Sequence, residues 1–309
     1  MDPYSRVGSD TMARIRYDRL PTERPNPRSR GLDRLGPGEI ARLMNRVDMD
    51  AVKAVGRAVP AIGRAAAAIA ERLAAGGRLI FVGAGTSGRL GVVEAAECPP
   101  TFNTAPGQVQ AVMAGGRRAV FRSVEGAEDD ARAGARAIRR RARRGDAVVG
   151  IAASGVTPFV RAALGEARRR GALTVLVTCN PVAPRGDARI VIALGVGPEV
   201  LAGSTRLKAG TATKLTLNTL TTAAFTRLGK VHGNRMVDLQ PRSAKLRARA
   251  ERLIAELGRV SAPRARRLLV QAKGSAKVAV VMARRRVTAA QARRALRAAG
   301  GFLGRAAGI

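Results

Sequence analysis

The chain has 309 residues, of which 46% are hydrophobic, and a formal net charge of +34. This length allows one large domain with a satellite, or two domains that each bury an apolar core. No apolar run approaches the roughly 18 residues of a membrane-spanning helix, and the N-terminus lacks the apolar stretch of a signal peptide. We therefore expect a cytoplasmic globular protein without a membrane segment.

Cysteine and histidine are scarce, which restricts metal and triad chemistry. Cys98 and Cys179 are the only cysteines, and they lack both metal-ligand spacing and the density of a disulfide scaffold. His232 is the only histidine, so any Ser-His-Asp triad or histidine-based zinc site would have to be built around it.

The basic charge has two interpretations. Neutralisation of phosphates by Arg and Lys drives nucleic-acid binding, so the charge alone suggests such a partner. The arginines are spread along nearly the whole chain, however, and only 3% of the residues are aromatic, with no stretch that could stack bases. We favour a solvated arginine-rich surface, which still permits nonspecific polyanion binding and attraction of anionic substrates.

The first part of the chain predicts a loose segment and then a helix. Residues 1–35 are rich in Arg, Pro and Gly, and we expect this segment to be loose, above all near its start. Small apolar residues at three- and four-residue spacing predict a helix over 37–75, which Gly76 and Gly77 close.

Short apolar runs then alternate with helical patterns. Five runs are too short for helices and are bounded by Gly, Asn or Asp: "RLIFVGAG", "VQAVMAGG", "DAVVGIAASG", "LTVLVTCN" and "RIVIAL". Such runs are typical of parallel strands buried on both faces. The stretch 156–172 predicts the crossover helix between the third and fourth strands. The pattern becomes helical again from about Lys208, and 261–304 predicts a small helical bundle.

These elements predict an α/β fold: a doubly wound, mainly parallel five-stranded sheet flanked by helices, with N-terminal helices and a small C-terminal helical bundle. The expected division is a loose segment over 1–35, a main domain over 36–240 and a C-terminal helical subdomain over 241–309.

The loop "GAGTSG", 83–88, follows the first predicted strand and opens a helix. Its glycine spacing lets backbone amides close on a phosphate at the positive helix end. A dinucleotide site would also need an acidic residue after the second strand, which instead ends "AGGRR". Thr86 and Ser87 suit a compact terminal phosphate better than a pyrophosphate, although an NADP enzyme stays an alternative.

The helix after this loop is expected to stop at "ECPPTF", 97–102, because proline has no amide proton and restricts its predecessor. This places Glu97 on the last turn, where the helix dipole disfavours an anion. Taken alone, Glu97 is interpreted as an ordinary solvated surface residue.

Two further polar stretches extend the loop pattern. "AASGVTP", 152–158, ends the third predicted strand and carries Ser154, Gly155 and Thr157, while "EVLAGSTRLKAGTATK", 199–214, adds a third polar stretch. Loops at the carboxyl ends of neighbouring parallel strands converge where open α/β sheets bind ligands. Each stretch alone is consistent with an ordinary turn or cap; together they favour a phosphorylated small molecule as ligand.

Five long motifs occur in order along the chain: "GAGTSGRLGVVEAAECPPTF", "VEGAEDD", "GIAASGVTPFV", "GPEVLAGSTRLKAGTATKLTLNTL" and "GKVHGNRMVDL". They resemble the N-acetylmuramic acid 6-phosphate etherases of the sugar-isomerase (SIS) domain superfamily, and the resemblance extends from about Thr22 to "GGFL" near the C-terminus. Animal glucokinase regulatory proteins share part of the pattern and bind sugar phosphates without cleaving the ether.

The resemblance implies a SIS-type fold and a specific lyase reaction. Enzymes of this family remove the D-lactyl ether from carbon 3 of a phosphorylated amino sugar by elimination and then hydration, without metal or organic cofactor, in cell-wall recycling. The reaction needs a base for the proton at carbon 2 and an acid for the departing lactate oxygen. Two carboxylates with separate protonation states supply both functions.

The motif match also implies roles for individual residues. Glu97 matches the proton donor and Glu128 the second acid-base residue, whereas Glu94 and Glu125, three residues earlier in each case, share a face with them if those segments are helical. The implied sugar-phosphate residues are Gly85, Thr86, Ser87, Ser154, Gly155 and Thr157, with Ser204, Thr205 and Lys208 lining the same pocket.

Spacing adds an expectation about assembly. A continuous helix from Ser87 to Glu97 would separate the two by about 15 Å, which exceeds the reach from the phosphate of one hexose to its carbon 3. Either Glu97 serves a neighbouring subunit, in a homodimer with its site near the interface, or the helix is short and the chain doubles back.

Two positions depart from the family pattern. Val156 stands where the family commonly has arginine, and His232 stands where an aromatic residue is usual, which we interpret as a packing residue near the pocket. Three alternatives to the etherase remain: a sugar-phosphate-binding regulator on the same fold, a nucleic-acid-binding protein and an NADP enzyme.

Overall fold

The computed structural model describes residues 20–239, 241 and 243–309. Its helices are α1 Pro37–Ala74, α2 Gly85–Phe102, α3 Arg118–Phe121, α4 Ala131–Arg139, α5 Pro158–Arg169, α6 Lys208–Arg227, α7 Ala244–Gly258, α8 Ala262–Gln271, α9 Ala276–Arg285, α10 Ala289–Ala298 and α11 Leu303–Ala307. Its strands are β1 Leu79–Gly83, β2 Val109–Met113, β3 Ala147–Ile151, β4 Leu173–Thr178, β5 Ile190–Ala193, β6 Val231–His232 and β7 Arg235–Met236.

The five predicted strands form one parallel sheet in the order β2-β1-β3-β4-β5. Every residue of β1, β3 and β4 is buried, which explains why these strands show as continuous apolar runs without alternation. The prediction of a doubly wound parallel sheet is confirmed, as is the crossover helix α5 between β3 and β4. β6 and β7 form a separate antiparallel pair.

Helices cover both faces of the sheet. Phe81 and Val149 point into an apolar cluster with α1, α2 and α6, whereas Ile80 and Val148 point into a second cluster with α4 and α5. This alternation along each strand follows from the two-residue period of side chains in β-structure. The predicted helix over 37–75 is α1, and its buried residues recur at three- and four-residue spacing.

The C-terminal helices pack around a cluster of their own, which includes Val237, Ile254, Leu269, Val280 and Leu303. The predicted helical bundle is therefore present as α8 to α11, joined by α7. The domain boundaries at 35/36 and 240/241 stay predictions.

Part of the segment predicted to be loose is packed. Its residues 1–19 lie outside the described part of the chain. Residues 20–35 form three 3₁₀ turns in which Thr22 and Asn26 are buried. The Asn26 amide donates a hydrogen bond of 3.1 Å to the carbonyl oxygen of Pro198, so this stretch is held against the main domain.

Candidate active site

Two loops lie side by side at the carboxyl end of the sheet. β1 and β3 are neighbours in register, with Gly83 opposite Ile151, so the chain leaves both strands at the same edge. From there α2 begins at Gly85 and α5 begins at Pro158. Both helix N-termini therefore lie at this edge, where the helix dipoles favour an anion. The first amides of α2 point there, whereas in α5 Pro158 has no N–H and the amide of Phe159 is bonded to the carbonyl of Glu128.

A cavity of about 280 Å³ opens between these loops. It collects residues from distant parts of the sequence, and those among its lining that were predicted as site residues are Gly85, Thr86, Ser87, Glu128, Ser154, Thr157 and Thr205. Four of the predicted residues do not line it: Glu97, Gly155, Ser204 and Lys208. The convergence of the two hydroxyl-bearing loops is as predicted, and the third polar stretch contributes through Thr205 and Gly203.

Gly155 shapes the second loop instead of forming the cavity wall. Its φ of +75° lies in the left-handed region, and a Cβ atom there would stand 2.4 Å from the Cβ of Ala183. The end of β4 and the residues after it hold the same loop in place, because Thr178 donates to the carbonyl of Ala153 at 3.1 Å and Asn180 donates from Nδ2 to that of Ser154 at 3.1 Å.

The charged side chains among the described lining residues are all acidic: Glu23, Glu128 and Asp129. The large positive charge of the chain is thus not concentrated here. A phosphate in this cavity would be held by hydroxyl groups, backbone amides and two helix N-termini instead of by lysine or arginine.

Glu128 reaches the cavity from a turn, not from a helix. Residues 122–130 form turns and irregular structure before α4, so Glu125 and Glu128 do not meet the condition of a helical segment on which a shared face depended. The carbonyl of Glu128 accepts a hydrogen bond of 3.0 Å from the amide of Phe159 in α5. Glu125 instead accepts a hydrogen bond of 2.6 Å from Ser123 and lines an adjoining cavity.

Helix α2 does not stop at the double proline. It continues to Phe102, so Glu97 lies more than one turn before its end, and the predicted helix ending is wrong. Proline removes the amides of positions 99 and 100, but burial of Cys98 and stacking of Phe102 on Phe225, with ring centroids 4.8 Å apart, hold the last turn. The amide of Asn103 then bonds the carbonyl of Pro99.

Because α2 is continuous, Ser87 and Glu97 are separated by about 15 Å along its axis. The alternative of a short helix that doubles back is therefore wrong. Glu97 is exposed on the outer side of α2 and lies apart from the cavity within its own chain.

Glu94, the neighbour of Glu97 on α2, has a structural role. Its buried carboxylate accepts hydrogen bonds from Asn218, at 2.8 Å, and from Thr221, both on α6. Burial raises the pKa of Glu94, and the charge of Glu97 acts in the same direction, while Thr221 and Lys214 oppose the shift. The pairing holds α2 against α6.

Lys208 does not line the cavity of its own chain, and its role in substrate binding stays a prediction. It is fully buried at the start of α6, where its own amide and that of Ala209 donate to the carboxylate of Glu199 at 3.1 and 2.9 Å. Its Nζ atom lies 3.6 Å from Oδ2 of Asp50 on α1. Burial lowers the pKa of Lys208, whereas the charges of Asp50 and Glu199 raise it.

The two departures from the family pattern have ordinary surroundings. The amide of Val156 donates to Ser154 Oγ at 3.2 Å, within the turn. His232 lies on β6 next to Gly304 of α11 and does not line the cavity, so the packing interpretation fits it but the expected nearness to the pocket does not.

Two negative findings apply to the described residues. They include no group of three or more His, Cys, Asp or Glu side chains arranged to hold a metal ion. Within the same ranges, none of the helices combines the length and the apolar character needed to cross a membrane.

Both cysteines are buried, and burial raises the pKa of each thiol to about 12.

Comparison with known proteins decides the family. Residues 61–168 match the model of the glucokinase regulatory protein N-terminal SIS domain. An N-acetylmuramic acid 6-phosphate etherase from Geobacillus thermodenitrificans is 46% identical over 94% of this chain and 99% of its own. A protein of the same name from Rubrobacter xylanophilus is 50% identical over 91% of this chain and 97% of its own. Another from Symbiobacterium thermophilum is 51% identical over 86% of this chain and 89% of its own.

This chain belongs to the N-acetylmuramic acid 6-phosphate etherase family. Four of the five motifs that carried the resemblance contribute residues to the cavity described above, whereas the fifth, "GKVHGNRMVDL", forms β6 and β7.

Sequence reasoning missed three polar side chains among the described residues that line this cavity: Thr22, Glu23 and Asp129. The sequence contained a signal for each of these positions. Asp129 follows Glu128 directly in the "VEGAEDD" motif, and the resemblance to the family begins at Thr22, next to Glu23. The missing information was the fold of the N-terminal stretch, in which the carbonyl of Thr22 accepts a hydrogen bond of 2.9 Å from the amide of Gly203.

Close contact between α4 and α5 fixes the turn that carries Glu128. A Cβ atom at Gly134 of α4 would stand 2.1 Å from the carbonyl oxygen of Phe159. We predict that Gly134→Ala lowers the free energy of unfolding by about 1–3 kcal/mol in urea titrations, since α4 must move and the better helix propensity of alanine offsets only part of the cost.

Gly63→Ala is the matched control, because Gly63 is exposed on α1 and a Cβ atom there has no neighbour within 4 Å. This variant should keep the stability of the unmodified protein or exceed it by up to about 1 kcal/mol. Equal stability of Gly134→Ala and Gly63→Ala would contradict the packing argument.

Proposed function

We propose that this chain cleaves the D-lactyl ether of N-acetylmuramic acid 6-phosphate, giving N-acetylglucosamine 6-phosphate and D-lactate, as a carbon-oxygen lyase. The observation that carries the proposal is the cavity in which Glu128 and two hydroxyl-bearing loops meet, in a chain of this etherase family. The reaction belongs to cell-wall amino sugar recycling, and we place it in the cytoplasm.

The phosphate of the substrate fits the N-terminal ends of α2 and α5. Thr86, Ser87, Ser154 and Thr157 supply hydroxyl groups, and the first amides of α2 supply donors beside them. A compact monoester at this point leaves the sugar ring to extend towards Glu128. The acidic residues of the lining suit proton transfer at the sugar better than they suit a second phosphate.

The chemistry requires two proton transfers in each half-reaction. A base takes the proton from carbon 2, which the carbonyl of the opened sugar acidifies, and the bond from carbon 3 to oxygen breaks as an acid protonates the departing lactate. Water then adds its hydroxyl to carbon 3 and a proton returns to carbon 2. We assign proton donation to Glu97 and the second acid-base role to Glu128.

Glu97 takes part only if another subunit brings it to the cavity. It is exposed on α2, and α1, α2 and α6 share one face of the sheet. Their outer surface carries apolar side chains that remain exposed in the single chain: Val52 at 52%, Val59 at 57%, Val93 at 46% and Leu215 at 38%. We propose a homodimer through this layer, in which Glu97 of one chain serves the phosphate loops of its partner.

The match to a glucokinase regulatory protein domain favours one second candidate, a regulator that binds sugar phosphates without turnover. Both candidates use the same cavity and differ in chemistry. Incubation with N-acetylmuramic acid 6-phosphate at high protein concentration separates them, because only the lyase releases D-lactate.

We predict that Glu97→Gln and Glu128→Gln each lower kcat for D-lactate release by about 10²–10⁴-fold, the usual range for loss of one general acid or base. Glutamine keeps the shape of the side chain and removes its titratable proton. Glu125→Gln is the matched control, since Glu125 lies outside the cavity, and its activity should stay within a few-fold of the unmodified protein. Full activity in both Glu97→Gln and Glu128→Gln would contradict the proposed mechanism.

The shared site is tested with heterodimers purified through two different tags. We predict that a Glu97→Gln protomer paired with a Ser87→Ala/Ser154→Ala protomer regains about half of the full activity, because one of the two symmetric sites is intact. The reciprocal control places all three substitutions on one protomer opposite an unmodified one, and this dimer should be inactive. An inactive first heterodimer together with about half activity in the control would show that Glu97 acts in the site of its own chain, and would contradict the shared site.

A further inference from the structure

A second cavity, of about 450 Å³, is lined by four basic side chains from three separate segments. Arg28 comes from a 3₁₀ turn, Lys53 and Arg57 from α1, and Lys208 from the start of α6. Asp50 is the one carboxylate among the described residues of its lining. The cavity therefore has an excess of positive charge. The cavity of about 280 Å³ between the two loops, called the etherase cavity below, has in contrast only acidic charged side chains among its described lining residues.

Lys208 is the buried one of these four basic side chains, and its ammonium group needs a balancing anion. Its Nζ atom lies 3.6 Å from Asp50 Oδ2, but the same oxygen is hydrogen-bonded by Arg28. The buried carboxylate of Glu199 accepts the two amides at the start of α6. The nearby carboxylates are thus already engaged, and a buried ammonium group is unfavourable unless anions balance it.

We propose that this cavity binds a small anion that carries a phosphate group, at a site separate from the etherase cavity. The guanidinium groups of Arg28 and Arg57 bond Asp50 and the carbonyl of Gly195 through one nitrogen each, and their other N–H groups are donors for phosphate oxygens. The ammonium groups of Lys53 and Lys208 supply compact charges. The volume exceeds that of the etherase cavity, so a phosphate ester of sugar size fits as well as the free ion.

The two cavities share their walls, so an anion in the second affects the first. The stretch 20–28 and the loop 195–208 line both. The hydrogen bond from Asn26 to Pro198 ties the two segments at the second cavity, and the bond from Gly203 to Thr22 ties them at the first. Binding of an anion at Arg28 and Lys208 stabilises this shared wall.

The test measures calorimetric binding of inorganic phosphate and of glucose 6-phosphate to protein carrying Ser87→Ala/Ser154→Ala, which weakens the first cavity. One site per chain should remain for at least one of the two probes. Adding Lys53→Gln/Arg57→Gln should weaken it by about tenfold or more, since two charge-assisted contacts are lost. Both residues are exposed on α1, and Lys208 itself is unchanged. Arg57 also donates a hydrogen bond of 2.9 Å to the carbonyl of Gly195 in the cavity wall, so an unchanged thermal unfolding midpoint is required of this variant before its affinity is compared.

Arg42→Gln/Arg64→Gln is the matched control, because it removes the same charge from exposed positions of the same helix outside the cavity. This pair should leave the affinity unchanged. Equal weakening by both pairs, or no effect of Lys53→Gln/Arg57→Gln, overturns the proposal, as does the absence of a remaining site for either probe. Tighter binding of glucose 6-phosphate than of phosphate assigns the site to a phosphate ester, and the opposite order to the free ion. D-lactate release plays no part, so the outcome is independent of the proposed lyase activity.

Discussion

The site depends on the parallel pairing of β1 with β3. This pairing places Gly83 opposite Ile151, so the loops 83–88 and 152–158 leave the sheet at the same edge. The opposite end of the pair is fixed by Asp146, a fully buried carboxylate just before β3, which accepts hydrogen bonds of 2.9 and 2.7 Å from the backbone and guanidinium of Arg78, just before β1. Burial alone would raise the pKa of Asp146, but the bonds from Arg78 and Arg143 outweigh it and lower the pKa, so the carboxylate remains charged at neutral pH.

Everything at the candidate site follows from that register. Helix α2 starts at the end of β1 and α5 starts soon after β3, so the amides of α2 and the hydroxyls of both loops converge. None of the lining residues in the described part of the chain is basic. Contact between α4 and α5 then brings the turn with Glu128 to the same cavity. The basic side chains of the described residues lie elsewhere, and the fully buried Lys208 belongs to a neighbouring cavity that shares a wall with the first.

Local sequence patterns predicted the elements well because the strands are buried on both faces and the helices carry regular apolar spacing. Their glycine and hydroxyl loops also predicted the cavity, since parallel strands end at one edge. The failures have a common cause in long-range contacts. The stacking of Phe102 on Phe225 keeps α2 helical beyond its prolines, and the ion pair with Asp50 places Lys208 away from the pocket that its motif suggested. No local pattern reports contacts between residues more than a hundred positions apart.

The central claim is that this cavity carries out elimination at carbon 2 and carbon 3 of the sugar, followed by addition of water. The most direct measurement is the isotope content of both products after turnover in deuterated water enriched in oxygen-18. Elimination and hydration put the new oxygen on carbon 3 of the amino sugar and deuterium on carbon 2, and leave the lactate with its original oxygen. Oxygen-18 in the released lactate, or an amino sugar that keeps its original hydrogen at carbon 2, would contradict the account.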